Sequence, residues 1–182
     1  MCALAAMKRA LDIIFSLLAT VLLIPIFVLI SVVIKQAESG DILFRQTRIG
    51  KDEAPFEIFK FRTLSDDQPD QVSKTGMFLR RTRLDELPQL INIIRGEMSF
   101  VGPRPYIPKE SIGLQKERYS VRPGLTGLAQ VNGNTFLSWE ERTAYDVKYV
   151  REYSLLLDIK ILLRGSDFRT CFIDAVRIAA LL

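Results

Sequence analysis

Histidine is absent from the 182 residues of this sequence, and cysteine occurs only twice, at Cys2 and Cys171. The first absence excludes a Ser-His-Asp triad, a histidine proton shuttle and a zinc site built from histidine and cysteine. Two cysteines so far apart do not form a disulfide framework and are compatible with a reducing compartment. Any catalysis must therefore use Asp, Glu, Lys, Arg, Tyr, Ser or Thr.

Charged residues are also missing from one long stretch, residues 13–34. The mean hydropathy of the chain is +0.16, which is high for a soluble domain, and this stretch accounts for the excess. As a helix it would reach about 33 Å, roughly the thickness of a bilayer's hydrocarbon core. Pro25 lies near the middle of this stretch. The stretch is flanked by Lys8 and Arg9 on one side and by Lys35 on the other. We therefore expect a helix that enters a membrane, bends at Pro25 and returns, with both ends cytoplasmic. A straight membrane anchor and a signal peptide are the alternatives.

The rest of the chain predicts a single domain of mixed α+β class. Residues 42–48 and 56–63, the latter alternating with period two, predict a small β-hairpin. Helical patterns run over residues 78–95 and 139–153. From Ser154 onward apolar residues are interspersed with basic ones, which predicts short amphipathic helices lying on a membrane surface.

Two adjacent carboxylates, Asp85 and Glu86, precede a helical pattern that ends before Gly96. Because proline is tolerated in the first turn of a helix, Pro88 predicts Asp85 at or beside the N-cap and Glu86 at the first helical position. An N-cap carboxylate normally accepts the N–H three residues further on, and Pro88 has none to donate. One carboxylate is therefore expected to lack its usual partner at the positive end of a helix.

This acidic pair follows three arginines, Arg80, Arg81 and Arg83. A carboxylate nucleophile beside a carboxylate that holds a divalent cation suits phosphoryl transfer, because the metal and the arginines neutralise phosphate charge. Lys60 and Arg62, which share a face of the predicted hairpin, could bind phosphate or remain exposed. A helix cap, a nucleic-acid patch and a solvated face are the alternatives for the pair and its arginines. The net charge of +4 allows nucleic acid, anionic lipid or a phosphorylated small molecule as partner.

Six motifs lie in order between residues 8 and 133: Lys8-Arg-Ala-Leu-Asp12, Phe44-Arg-Gln-Thr-Arg-Ile-Gly50, Phe59-Lys-Phe-Arg-Thr63, Leu84-Asp-Glu-Leu-Pro-Gln-Leu90, Met98-Ser-Phe-Val-Gly-Pro-Arg-Pro105 and Val121-Arg-Pro-Gly-Leu-Thr-Gly-Leu-Ala-Gln-Val-Asn-Gly133. With these motifs the chain resembles the bacterial sugar transferases, the monotopic phosphoglycosyl transferases. The resemblance covers nearly the whole sequence, to about residue 163.

The resemblance implies a monotopic membrane protein at the bacterial inner membrane, with a re-entrant helix over residues 1–36 and a cytoplasmic catalytic domain over residues 37–182. It implies transfer of a phospho-sugar from a UDP-sugar to a polyprenol phosphate, giving a polyprenol diphosphate sugar and UMP. This reaction uses Mg²⁺ and is the first membrane step of glycoconjugate assembly. Asp85 would form a covalent phosphosugar intermediate, and Glu86 would help to hold the metal. The resemblance assigns phosphate contacts to Lys60, Arg80 and Arg104, and a nucleotide pocket to the loop that contains Arg122, Gln130 and Asn132.

Two positions depart from the family's common pattern. Ile24 precedes Pro25 where serine is usual, and Asn134 follows Gly133 where arginine is usual. These departures leave a second hypothesis open, a membrane-anchored scaffold of the same fold without activity. Membrane lipids are expected as partners and nucleic acid is not, while a homodimer is left open.

Overall fold

The computed structural model of the protein describes residues 2–37, 40–65, 71–111, 113–133 and 136–164. The amphipathic helices predicted beyond Arg164, and the departure at Asn134, lie outside these residues. In the described part the chain forms one domain of mixed helix and sheet, as predicted. Its elements are α1 (Cys2–Leu22), α2 (Ile24–Ala37), β1 (Leu43–Ile49), β2 (Pro55–Phe61), α3 (Lys74–Thr82), α4 (Gln89–Arg95), β3 (Ser99–Val101), β4 (Gly124–Thr126), α5 (Leu128–Val131), α6 (Trp139–Arg151) and α7 (Leu155–Arg164).

The long uncharged stretch forms two helices, α1 and α2, which are bent by 60° relative to each other. The break falls beside Pro25, which has no N–H to donate to the preceding turn, so the predicted kink is confirmed. Among the described residues no single helix has the length and apolar composition needed to cross a membrane. Taken together, the bent pair over Ala3–Leu22 and Ile24–Ala37 has the required length and apolar composition.

One side of this helix pair belongs to the core of the domain, and the other is open. Ile26, Ile30 and Ile34 of α2 are buried in a cluster with residues of β2, α3 and α4. In contrast, Leu18 and Val21 of α1 are 62% and 67% exposed. Exposed apolar surface of this kind is costly in water and favourable in lipid.

Strands β1 and β2 form the predicted antiparallel hairpin, with Leu43 opposite Phe61 and Ile49 opposite Pro55. A second, parallel pair joins β3 to β4. The segment with Arg122, Gln130 and Asn132 was expected to be a loop, but part of it is β4 and α5. A parallel pair brings together residues that are distant in the chain, so its formation depends on tertiary packing rather than on local pattern.

The predicted helix over residues 139–153 is confirmed as α6, which begins at the N-cap Ser138 with a capping box to Glu141. Helix α7 follows and is amphipathic: Ile161 is buried, whereas Leu156 and Leu163 are more than half exposed. The predicted amphipathic character of the chain after Ser154 is therefore confirmed as far as Arg164.

Candidate active site

The acidic pair lies in a 3₁₀ turn, Leu84–Glu86, that separates α3 from α4. We call this segment the acidic turn. The prediction of Asp85 as the N-cap of the following helix is wrong, because α4 begins only at Gln89. Pro88 explains the difference: without an N–H it cannot bond to the carbonyl four residues earlier, so the residues before it make i→i−3 bonds instead. The N–H of Leu87, for example, donates to the carbonyl of Leu84 over 3.2 Å.

The side chain of Asp85 is buried, with 7% of the residue exposed. Its Oδ1 atom has no hydrogen-bond partner in the part of the chain that the structure describes. The sequence predicted a missing partner, but for an N-cap position that Asp85 does not occupy. Burial, followed by the neighbouring charge of Glu86, raises the pKa of Asp85 to about 6. An unpartnered carboxylate that still ionises at neutral pH retains its lone pairs for a nucleophilic attack.

Glu86 is in a different situation, because it is held by Lys60 of β2. The Lys60 Nζ and Glu86 Oε1 atoms are 2.6 Å apart, and both side chains are largely buried. Burial alone would favour the neutral acid, but the positive charges of Lys60 and Arg104 outweigh it and lower the pKa of Glu86. The two neighbouring carboxyl groups therefore have pKa values shifted in opposite directions, a pattern typical of groups with separate roles.

Both carboxylates line a cleft of about 1010 Å³ between the hairpin and α3. We call it the catalytic cleft. Three acidic side chains line it, those of Asp41, Asp85 and Glu86. The cationic side chains in its lining are Arg45, Arg48, Lys60, Arg62, Arg80, Arg83 and Arg104. This excess of positive charge suits a ligand that carries several phosphate charges.

Close packing of α3 against the end of the hairpin positions Arg80. Gly76 allows this packing, since a Cβ atom there would lie 2.0 Å from the Thr63 carbonyl oxygen. One turn later, the Arg80 Nε–H donates to the Thr63 hydroxyl oxygen over 2.9 Å. This bond uses only the Nε atom of Arg80. The two terminal nitrogens of the guanidinium group take no part in it and can face the cleft, which Arg80 lines.

Six of the nine residues predicted for the site meet in the catalytic cleft, namely Asp85, Glu86, Lys60, Arg62, Arg80 and Arg104. The other three lie elsewhere. Arg122 donates from Nε to the carbonyl of Gly96 and lines a separate cavity. Gln130 lines a smaller cavity next to the cleft, and the Asn132 amide donates to the carbonyl of Leu128 on the protein surface.

Sequence reasoning did not single out Arg48 as a member of this site. Arg48 lies in β1 and donates to the carbonyl of Pro105 and the side-chain oxygen of Gln46. Arg83 was noticed only as one of several nearby arginines, although it lines both the cleft and the smaller cavity. A useful signal was available for Arg48: it lies within the same Phe44–Gly50 motif that carries the resemblance.

A divalent metal ion fits the acidic turn. Within the described residues no group of three or more acidic, histidine or cysteine side chains could enclose a metal ion. Mg²⁺ does not require such a cage, because it is commonly held by one or two carboxylates together with phosphate oxygens and water. Glu86 supplies an ionised carboxylate, and the buried, unpartnered Oδ1 of Asp85 supplies a second oxygen.

Comparison with known proteins shows the family of the chain. The family model "Bacterial sugar transferase" matches residues 3–169. The chain is similar to the UDP-glucose:undecaprenyl-phosphate glucose-1-phosphate transferases of Escherichia coli K12, at 40% identity over 177 residues, and of Caulobacter vibrioides, at 42% over 179 residues. It is also similar to the uncharacterized sugar transferase EpsL of Bacillus subtilis, at 39% identity over 165 residues. The protein belongs to the bacterial sugar transferase family.

These relatives differ in length. The aligned region covers 85% of this chain but 38% of the E. coli protein, and 86% of this chain and 67% of the Caulobacter protein. For the Bacillus protein the coverage is 81% on both sides. The aligned region therefore makes up most of this chain in all three comparisons, but well under half of the E. coli protein.

Proposed function

We propose that the protein transfers a phospho-sugar from a UDP-sugar to a polyprenol phosphate, with release of UMP. The observation that carries this proposal is the unpartnered Oδ1 atom of Asp85, in a cleft whose lining is rich in arginine and also contains Lys60. The printed names of two relatives, each a UDP-glucose:undecaprenyl-phosphate glucose-1-phosphate transferase, support the same reaction class. Glucose is one candidate sugar among several.

In the first step, an oxygen of Asp85 attacks the phosphorus that bears the sugar. The bond from this phosphorus to the bridging oxygen breaks, and its electron pair leaves on UMP. An anionic nucleophile can approach an anionic diphosphate only if the phosphate charge is screened. Arg80 and Arg104 line the cleft and would screen this phosphate charge. Lys60 would screen it as well, and its ion pair also keeps Glu86 ionised.

In the second step, a phosphate oxygen of the polyprenol phosphate attacks the same phosphorus. The acyl phosphate bond to Asp85 breaks, which regenerates the carboxylate and forms the polyprenol diphosphate sugar. No proton must be transferred in either step, because carboxylate and phosphate oxygens are already ionised at neutral pH. A site without histidine can therefore carry out this chemistry.

We propose Mg²⁺ as the cofactor, held by Glu86 with help from Asp85. When bound, it would neutralise phosphate charge and orient the diphosphate. Lys60 shares the Glu86 carboxylate and would keep it in place through the ion pair.

The function also requires access to a lipid substrate. We propose that α1 and α2 form a re-entrant segment in the inner membrane, with the catalytic domain on the cytoplasmic face. The 60° bend and the exposed apolar side chains of the pair support this placement. The apolar face of α7 would lie at the membrane surface.

A panel of UDP-sugars incubated with undecaprenyl phosphate and Mg²⁺ tests the reaction. We expect UMP release with at least one sugar, dependent on the lipid phosphate for repeated turnover. Turnover with any UDP-sugar would exclude the scaffold hypothesis. Absence of UMP release across the panel, from protein that is folded and membrane-inserted, would contradict the proposed function.

Cysteine labelling from each side of the membrane tests the re-entrant topology. Starting from a variant in which Cys2 and Cys171 are serine, we expect Ala6→Cys and Gln36→Cys to react with an impermeant maleimide only from the cytoplasmic side. Both positions are exposed and lie near the two ends of the helix pair, outside its uncharged stretch. Leu22→Cys, at the bend, is the control and should resist labelling from either side. Labelling of one flank from the periplasm would establish a true span instead.

A further inference from the structure

Two cavities meet beside the acidic turn. One is the catalytic cleft, and the other, which we call the side cavity, has a volume of about 300 Å³. Arg48, Arg83 and Arg104 line both of them. A ligand that extends from one cavity into the other is therefore expected to place its most anionic group at this boundary, between the three guanidinium groups.

The far wall of the side cavity is aromatic and polar. The rings of Tyr106 and Trp139 lie with their centroids 5.0 Å apart, and the Arg142 guanidinium lies 5.3 Å from the centre of the Trp139 ring. Gln130 adds an amide to the same lining. Such a wall suits a planar, polar heterocycle on a sugar, whereas the catalytic cleft is lined mainly by charge.

Arg83 occupies a special backbone position at the junction of the two cavities. Its φ of +59° and ψ of 12° lie in the left-handed region, which costs a residue other than glycine about 1 kcal/mol. This conformation ends α3 and starts the acidic turn, in which the Arg83 carbonyl accepts the N–H of Glu86 over 3.1 Å. A glycine would form the same turn without strain, so what arginine adds at this position is its side chain.

On the basis of the proposed function, we propose that Arg83 binds the phosphate of the departing nucleotide, with the nucleoside in the side cavity. As the Asp85 oxygen bonds to the sugar-bearing phosphorus, the bond to the bridging oxygen breaks and negative charge grows on the leaving phosphate. A guanidinium group at the cavity boundary stabilises this charge more in the transition state than in the bound substrate. The polyprenol phosphate must later attack in line with the Asp85 oxygen, from the position that UMP has left, so Arg83 faces the incoming phosphate as well.

Two variants separate the side chain of Arg83 from its backbone. Arg83→Gly keeps access to the left-handed conformation and removes the charge, whereas Arg83→Lys keeps the charge and removes the planar fork. We expect Arg83→Gly to slow formation of the phosphosugar enzyme, measured as the first equivalent of UMP, by about 10²-fold or more. Arg83→Lys should recover part of that loss. Arg151→Ala, which removes an exposed arginine from the far side of α6, should leave the rate unchanged.

The second half-reaction should be slowed as well, because the lipid phosphate must enter the position that UMP has left. The discriminating readout is therefore nucleotide binding. Calorimetry with UMP and with uridine tests binding without any turnover. We expect Arg83→Gly to weaken UMP binding by about tenfold or more, and to leave uridine binding unchanged.

Equal weakening of UMP and uridine binding, or unchanged UMP binding, in a folded Arg83→Gly protein would overturn the assignment of Arg83. These results are distinct from failure of the proposed function. If the unmodified protein binds UMP through Arg83 but never releases it from a UDP-sugar, the function is wrong and the binding site stands. If thermal unfolding shows that Arg83→Gly does not fold, unchanged UMP binding by a folded Arg83→Lys would also overturn the proposal, since a lysine cannot reproduce the arginine fork.

Discussion

The Asp85→Asn variant is expected to lose UMP release by about 10⁴-fold or more, which is typical when an enzyme's nucleophile is removed. Asparagine has nearly the same shape as aspartate, but its amide oxygen does not form a stable ester with phosphorus. The loss should be as large in the first equivalent of UMP as in steady-state turnover, because the covalent step itself is removed. Mass spectrometry of the unmodified protein with a UDP-sugar alone should find a phosphosugar adduct on Asp85.

Asp41→Asn is a matched control, since Asp41 is another acidic side chain that lines the same cleft. It removes the same charge from the cleft without touching the acidic turn, and we expect a change of less than about tenfold. If Asp41→Asn reduced UMP release as severely as Asp85→Asn, the effect would follow from the charge of the cleft. Retention of activity by Asp85→Asn would show that the nucleophile is another residue.

The Asp85→Asn variant should also stabilise the fold near neutral pH. Burial raises the pKa of Asp85 to about 6, above the usual value of 3.8 for the unfolded chain. The folded state therefore holds this proton more tightly, and the free energy of unfolding falls as the pH rises from about 4 to about 6. Asp85→Asn removes this dependence, so its advantage should grow from near zero at pH 4 to roughly 3 kcal/mol above pH 6. A higher free energy of unfolding combined with lost activity would show that the site is held at a cost to stability.

Whether a feature of this structure can be predicted from the sequence depends on how far apart in the chain the interacting residues are. The hairpin, the kink at Pro25 and the capping box of α6 follow from residues within a few positions of each other, and each was predictable. The acidic turn was only partly predictable. Proline rules indicated that Asp85 lacks its usual partner, but the left-handed conformation of Arg83 has no signature in the side chain, because arginine rarely adopts it.

The placement of α1 on the domain shows why contacts between residues that are distant in the sequence could not be predicted. Arg9 donates to the carbonyls of Ile93 and Ile94 at the end of α4, so a residue near the start of the chain caps a helix more than eighty positions later. Asp12 accepts the N–H of Phe100 in β3. Neither pairing is encoded in local spacing, since both depend on how the helix packs after the domain has formed. Arg122, which the resemblance assigned to the nucleotide pocket, is also located at the end of α4.

Lys8 makes the strongest of these distant connections, and its replacement by methionine is expected to cost about 3–5 kcal/mol of unfolding free energy. The Lys8 Nζ donates to Asp158 over 2.7 Å, to the Tyr149 hydroxyl over 2.8 Å and to the Val101 carbonyl over 2.7 Å. Lys8 and Asp158 are each 9% exposed at the side chain. Methionine fills similar space but leaves the Asp158 carboxylate buried without its cation, and that uncompensated charge dominates the loss.

A double variant tests this explanation, because a second substitution should restore part of the stability. Lys8→Met with Asp158→Leu removes both charges together, and apolar replacement of a whole buried ion pair is often nearly neutral. Arg151→Ala breaks the exposed pair between Arg151 and Glu117 and should cost at most about 1 kcal/mol. Thermal unfolding in detergent compares the three. If Lys8→Met cost no more than Arg151→Ala, α1 would be held on the domain by its apolar contacts and by the hydrogen bonds of Arg9 and Asp12, without a contribution from the ion pair. With the expected ranking, the ion pair between α1 and α7 joins the N-terminal helix to the end of the described chain. In the re-entrant topology that we propose, this pair would fix the depth at which the acidic turn meets a lipid phosphate.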